Sequence, residues 1–483
     1  MAPPRSLNMP TVENNPTLKQ SLVSFRTQAV DRCGSLQRLG RSSATFDVFD
    51  TTCVLSTSEM LEGFKITSGE TVIYSGRAIV TDLVNCGHRV VCEVKLDESG
   101  LRSPLAGTLE DRAEVARLFD QEFLEWQRSF HVVPQVKQVV ADVDSFLMSV
   151  RAWLERIEFG LSAEKNGKNR TAAQEEAILQ GVEHRFMTAF NVHLEKFEEI
   201  VCAVPKEFRP MHHAYAGQRW QRLFLGSPFG SRTYHKPLGY AGDYEMMNMI
   251  HRNRPEGSSL YDKLIHLLLV SGWPAISVRN RITHLQEHLF REIARVARAG
   301  RRCRILNVGC GPAREVQNLL QQSAVIDHAD FTFIDFNEET LTHARNRFEE
   351  LKRQHRRQAQ LETRRVSVFQ LLKRGTCAGR DGPATSFDVI YCAGLFDYLA
   401  DETCRSVVDL FYHSLKPGGL VLVANMKDEK PFRNFIESVL DWHLIYRDAR
   451  KMKTLAPPDA ADRSRVEAEE VAVNLFLHVR GAN

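Results

Sequence analysis

The first residues in this chain whose types and spacing suggest chemistry are Gly309, Cys310 and Gly311. They follow the apolar run ILNV, and a helical pattern begins near Ala313. Glycines at such a turn let the backbone bend and let a ligand lie against it. The first amides of the helix point free N–H groups at the same place, which suits an anion. A second apolar run, FTFIDF, brings Asp335 to a strand end. A carboxylate there can accept hydrogen bonds from both hydroxyls of a ribose.

Two ligands fit a glycine turn paired with an acid. One is a nicotinamide or flavin dinucleotide, whose fingerprint G-x-G-x-x-G/A needs a small third residue for close helix–strand packing. Arg314 stands at that position, and no second such motif occurs. The other is S-adenosylmethionine. It carries no phosphate; its α-carboxylate can use the helix N-terminus and its ribose the acid.

Elements must hold these residues in place. From residue 301 to 483 strand and helix patterns alternate: RILNVGC, REVQNLLQQ, FTFIDF, EETLTHARNRFEELKRQ, RRVSVFQ, FDVIYCA, ETCRSVVDLFYHSL, GLVLVANM and PFRNFIESVLDW. That alternation predicts a doubly wound α/β domain on a mostly parallel sheet. Two further strands in the tail would pair antiparallel at one edge. Residues 226–300 form a cap and helical lead-in. Residues 106–225 show apolar positions at i, i+3, i+4 and i+7, and read as a helical connector. Over 44–105, strand-like runs separated by turn signals predict a small β-barrel. Residues 1–43 are left as an N-terminal extension. The fold class is thus multidomain.

Composition narrows the function. Sixty-three Lys and Arg stand against 60 Asp and Glu, a net charge of +3, which gives no support for nucleic acid as a partner. The ten cysteines contain no Cys-x-x-Cys pair, so reduced thiols are expected and a cysteine zinc site is not. The "MHH" run at 211–213 lacks ligand spacing, and no metal is expected. The longest apolar run, LIHLLLV, is far short of a bilayer span, and no signal-peptide pattern is present. A soluble, cytoplasmic protein is expected.

With those motifs in view, ILNVGCGPAREV, FTFIDFNEETL, FDVIYCAGLFDYL and LKPGGLVLVANM resemble, in order over about 300–426, the motifs of class I S-adenosylmethionine-dependent methyltransferases. The resemblance implies a Rossmann-like C-terminal domain with a seven-stranded sheet. It also implies that Gly309, Cys310 and Gly311 line the methionine and ribose, that Asp335 takes the ribose hydroxyls, and that Phe336 and Asn337 flank the adenine. Gln370 would reach the adenine edge, and Cys392, Ala393 and Gly394 would sit beside the sulfonium. KPLGYAGDYEMM, SVRNR, CAGLFDYL and DWHLIYRD further resemble, over about 227–450, bacterial methyltransferases of 3-hydroxypalmitic acid methyl ester synthesis, a quorum-sensing signal. The N-terminal strands resemble a degenerate PilZ domain, the cyclic di-GMP module. Its arginine motif is shortened to RLGR at 38–41, and its second motif appears as DLVNCG at 82–87.

The acceptor side is read from residues that orient. An acceptor carboxylate needs no base, only in-line placement and exclusion of water. Tyr234, Tyr240 and Tyr244 could fold over the cofactor mouth, and Asp243 could meet the cofactor's ammonium. Arg232, Lys236 or Arg279 could hold an acidic substrate. His443, Tyr446 and Arg447 lie beyond the fifth strand, where acceptors enter. Tyr240, His443, Tyr446 and Arg447 form the candidate catalytic set. By resemblance, the reaction is methylation of a small acidic or lipid-like molecule, a 3-hydroxy fatty acid above others. Two alternatives stay open: an O- or N-methyltransferase of natural-product or amino-acid metabolism, and a regulatory nucleotide-binding protein on a non-catalytic methyltransferase fold.

Overall fold

The structure is a computed structural model. It describes residues 21–97 apart from 28–29, 41, 49–54, 56–58, 69–70 and 86–89, scattered positions over 113–124, and 132–482 apart from 165–171, 378–386 and 428–431. The chain divides into two compact units, Met1–His131 and Val132–Asn483.

The first unit is a closed antiparallel barrel of β1 (Ser21–Thr27), β2 (Val30–Leu39), β3 (Ser43–Val48), β4 (Met60–Ser68), β5 (Thr71–Asn85) and β6 (Val90–Leu96), in the order β1-β2-β3-β6-β5-β4. Pairing of β1 with both β2 and β4 closes it. Alternate side chains point inward: Cys92, Val94 and Leu96 are buried while Glu93 and Lys95 are exposed. Phe25, Phe46 and Phe64 meet at its centre. The barrel therefore starts at Ser21, not at residue 44. Strand β2, VDRCGSLQRL, shows no clean alternation in sequence and is held by backbone pairing on both sides. Arg38 and Asp82, from the two PilZ-like motifs, are exposed. Arg41 and Gly87 lie outside the described residues.

The second unit is built on a seven-stranded sheet. Its strands are β7 (Cys303–Val308), β8 (Ala329–Asp335), β9 (Gln360–Arg365), β10 (Phe387–Cys392), β11 (Leu415–Met426), β12 (Ser464–Ala468) and β13 (Asn474–Arg480). The order is β12-β13-β11-β10-β7-β8-β9. The sheet is mixed, which corrects the expected mostly parallel one. Strands β7 to β11 pair in parallel, but β13 runs antiparallel to β11 and β12 antiparallel to β13. The tail supplies this hairpin because the short turn between β12 and β13 permits only antiparallel pairing. The order of the parallel strands reverses at β7 and β10, so a crevice opens beyond their carboxyl ends.

The helices before the sheet are no separate connector; they pack into the same unit. They are α1 (Pro134–Glu164), α2 (Ala172–Ala203), α3 (Arg209–Phe224), α4 (Pro228–His235), α5 (Tyr244–Arg252), α6 (Leu260–Ser271) and α7 (Trp273–Arg298). Along the sheet follow α8 (Arg314–Gln322), α9 (Glu338–His355), α10 (Val368–Arg374), α11 (Asp401–His413), α12 (Arg433–Leu440) and α13 (Ala449–Lys453). Buried Glu198 on α2 accepts from the backbone N–H groups of Asn434 and Phe435 in the first turn of α12. It satisfies amides that a helix start leaves unpaired. Phe190, Trp220, Phe224 and Phe435 join α2, α3 and α12 in an aromatic cluster. The histidines of the MHH run are structural: His212 accepts from Val133 N–H at 3.1 Å, and His213 pairs with Asn434 at 2.9 Å. Among the described residues, no helix is long and apolar enough to cross a membrane.

Candidate functional site

The site lies where β7, β8 and β10 end. Gly309 and Gly311 take positive φ, 67° and 53°, and Ala313 follows at 48°, so the chain doubles back before α8 starts. Gly309 and Cys310 N–H both donate to Ile334 O, tying the turn to β8. A side chain built on Gly311 would meet nothing within 4 Å, so the turn faces open space. Beneath it lies a buried polar knot: Tyr391 Oη donates to Glu315 at 2.7 Å, and Asn307 Nδ2 donates to Tyr391 Oη at 2.9 Å. Burial raises the pKa of Glu315. The knot fixes the start of α8 against β7 and β10.

Asp335 is held from both sides. Its Oδ2 accepts from Gly311 N–H at 3.3 Å and its Oδ1 from Asn337 N–H at 3.0 Å. Each oxygen keeps a lone pair for a further donor. Burial pushes its pKa up. Next to it Phe336 is 44% exposed, a large apolar ring left in solvent, with Tyr240 5.1 Å away, centroid to centroid. Burial, and then the charge of Asp335, raise the pKa of Tyr240. An open glycine turn, a fixed carboxylate and an exposed ring fit the carboxylate, ribose and base of an adenosine-containing cofactor.

Several expected residues have other work. Asn337 caps α9 by accepting from Thr340 N–H. Gln370 closes a reciprocal cap with Ser367 at the start of α10, so its side-chain oxygen is committed there. Asp243 is 2% exposed, caps α5 and accepts Arg232 Nε at 2.8 Å on both oxygens. It meets Arg232 Nε, not a cofactor ammonium. Lys236 pairs with Asp441 at 2.5 Å. Arg279 donates to Ile250 O and Val270 O, joining helix ends. Tyr244 donates to Glu339 at 2.8 Å.

The expected catalytic set also separates. Arg447 is 1% exposed and spends its donors on Asp401, Phe396 O, Asn425 and Leu399 O. It is a strut between the ends of β10 and β11. Tyr446 stacks under Arg433 at 4.8 Å. His443 is half-exposed and pairs with Asp441 at 2.9 Å. With Tyr234, it lines a polar cleft bounded by Arg209, His213 and Glu437. Of that set, Tyr240 alone stands beside Asp335.

Beyond β10, Cys392 is fully buried, and burial drives its thiol up to about 12. It packs as a neutral core residue. Ala393 and Gly394 are half-buried. A side chain on Gly394 would lie 3.5 Å from Arg281 Nη1. This arginine is the residue the sequence reading missed. It sits on α7, is 8% exposed, and its Nε has no hydrogen-bond partner. Among the described residues, no carboxylate lies within ion-pair distance of it. Burial lowers its pKa, with Asp397, Tyr398 and Glu315 facing it at longer range. Burial and the charges of Arg314, Arg281 and Arg279 hold neighbouring His251 down at about 3, so the mouth is electropositive. The signal was in the pattern. Val278, Arg281 and Leu285 are all buried on one face of α7, and a charge on an apolar stripe calls for a partner.

Tyr398 joins the cap to the strand ends. Its Oη donates to Ala241 O at 3.0 Å and accepts from Trp442 Nε1 at 2.9 Å. Gly242, at φ 81°, must be small there, since a Cβ would come within 2.7 Å of that oxygen. Behind this joint lies an apolar cavity of about 190 Å³, lined among others by Phe190, Phe229, Trp273, Ala275, Phe435 and Trp442.

Residues 306–421 match a family model described as a methyltransferase domain. The chain carries a methyltransferase domain. Similar solved structures include a protein described as a possible exported protein from Bordetella parapertussis (15% identity, 65% of this chain and 100% of that one, TM-score 0.38). Others are the N-methyltransferase NodS from Bradyrhizobium japonicum with S-adenosylhomocysteine (14%, 41% and 87%, 0.26) and magnesium protoporphyrin IX methyltransferase from Synechocystis with S-adenosylhomocysteine (9%, 53% and 100%, 0.33). No curated protein matches the chain.

Proposed function

We propose that this methyltransferase esterifies the carboxylate of an amphiphilic acid, a 3-hydroxy fatty acid above others, to give a methyl ester signal. One observation carries this reading. Helix α7 lines the apolar cavity with Trp273 to Ile276 and, one to two turns later, presents buried Arg281, which has no carboxylate within ion-pair distance among the described residues. Five to eight residues of helix span roughly 8–12 Å. An acid bound at the guanidinium would need a chain of about that length to bridge to the cavity. An arginine fork suits a carboxylate because two parallel N–H groups match its two oxygens.

Bound S-adenosylmethionine supplies a methyl group already activated on a sulfonium. Asp335 and the Gly309–Gly311 turn would hold and orient that cofactor. Arg281 would hold and orient the acceptor's carboxylate, which needs no residue to take a proton. The cavity wall and the Tyr398–Trp442 joint exclude water.

The resemblance over 227–450 supports the 3-hydroxy acid in particular. Incubation of the full chain with S-adenosylmethionine and 3-hydroxy acids of increasing length tests the reading by mass spectrometry. The expected result is the methyl ester, with turnover rising with chain length. Turnover of amines or phenols with none of carboxylic acids would overturn it.

A second reading has its own support. Asp397 is buried after β10, and burial raises its pKa to about 6. A carboxylate so poised could accept a proton from an alcohol or amine. That O- or N-methylation would show a rate limb near pH 6 that carboxyl methylation lacks.

A further inference from the structure

The edge hairpin β12–β13 packs against α7. His284 and His288 stand one turn apart on α7, Glu467 lies on β12 and His478 on β13. One donor atom from each of the four falls within 4.8 Å of all the others. Glu467 Oε2 lies 3.2 Å from His478 Nε2, 3.6 Å from His288 Nε2 and 3.9 Å from His284 Nε2. The other oxygen, Oε1, accepts from Arg465 Nε at 2.6 Å, which turns Oε2 toward the imidazoles.

Hydrogen bonding does not account for this cluster. His478 is 1% exposed, and neither of its ring nitrogens has a hydrogen-bond partner. His284 Nε2 is likewise buried and unpartnered. Unpaired buried nitrogens are costly and rare in a folded protein. Stacking of His284 on Phe476 at 4.0 Å fixes the ring but satisfies no nitrogen.

We infer that His284, His288, Glu467 and His478 form a binding site for a divalent transition metal ion, zinc foremost, that clamps α7 to the β12–β13 hairpin. Tetrahedral zinc holds N and O donors at about 2.0–2.2 Å, so paired donors sit roughly 3.3 Å apart. The 3.2–3.9 Å separations from Oε2 need only small rotamer shifts to meet that geometry. Four protein donors close the coordination sphere, which marks a structural site and not a catalytic one. Arg465 on the carboxylate supplies the outer-shell bond that such sites carry. The clamp has a partner already: Glu469 accepts from Ser277 and Asn280 of α7, fastening the same helix to the same hairpin. The inference is independent of the methyl acceptor.

The test uses the full chain stripped with chelator and titrated calorimetrically with ZnCl₂, and separately with CoCl₂ under visible spectroscopy. One Zn²⁺ should bind per chain, cobalt should give the intense visible bands of a tetrahedral site, and saturating zinc should raise Tm by about 5 °C or more. His288→Ala should weaken zinc binding at least about 10-fold, while His413→Ala, an exposed histidine elsewhere, should not. His478→Gln should do the same as His288→Ala, and His288, being nearer the surface, keeps the test decisive if the buried variant fails to fold. No zinc binding by the folded wild type overturns the inference. So does zinc binding that His288→Ala leaves unchanged.

Discussion

The two walls of the cofactor mouth are made in different ways. One wall is backbone and short-range: Gly309 to Gly311 and Asp335 to Asn337 sit at consecutive strand ends and bond to each other across one parallel pairing. The other wall is a side chain on a helix. Arg281 reaches Gly394 from 113 residues earlier in the chain. The first wall is polar but nearly saturated, with each Asp335 oxygen already accepting an amide. The second carries a buried charge with no ion pair among the described residues. A wall of satisfied backbone groups holds an invariant part of a ligand. A wall with an unpaired charge waits for a ligand's own charge, and that is where acceptor choice would reside.

This contrast can be broken most easily at Asp335. Asp335→Ala should weaken S-adenosylhomocysteine binding about 100-fold, since it removes a charged acceptor of two hydroxyls. Calorimetric titration of folded wild type and variant checks it, and equal affinities would move the ribose elsewhere. Next comes Arg281→Met, which keeps the volume and removes the charge. The acceptor's KM should rise about 10- to 100-fold while S-adenosylhomocysteine affinity changes by less than about threefold. If cofactor affinity falls with it, Arg281 serves the cofactor's carboxylate and the two walls are not distinct.

The smallest expected effect concerns Asp397, which lies between them. Its pKa in the fold is raised to about 6 from 3.8. The folded state thus holds its proton more tightly, and stability from this group is lost as pH rises from about 4 to 6. Asp397→Asn keeps an acceptor for Met426 N–H and removes that loss. Its Tm advantage over wild type should be larger at pH 8 than at pH 4. A difference independent of pH would show that Asp397 is not buried as an ion.

Most of the first wall was readable in the sequence because each of its parts is local. A glycine turn needs its glycines where the chain turns, and a strand-end acid follows its own apolar run. The same locality misled at Gln370 and Asn337, where a strand-end polar residue proved to be a helix cap. At Arg447 and Asp243 a charge that looked free in one dimension found several donors or acceptors in three. Choosing Arg279 over Arg281 was a matter of two residues, yet it moved the side chain to another face of α7. The seven-stranded sheet and the antiparallel tail strands at its edge were foreseen, though the sheet as a whole is mixed and not mostly parallel.

The sequence by itself determined the alternation of strands and helices, the turn at Gly309 and the acid at Asp335, because side-chain period and backbone freedom act within a few residues. It also placed strands in the N-terminal unit, though not their first residue. Tertiary structure alone decided which charges are neutralised. Ion pairing, burial and the meeting of His284, His288, Glu467 and His478 depend on elements far apart in the chain. Desolvation is a property of the packed interior, and no local pattern of residues encodes it.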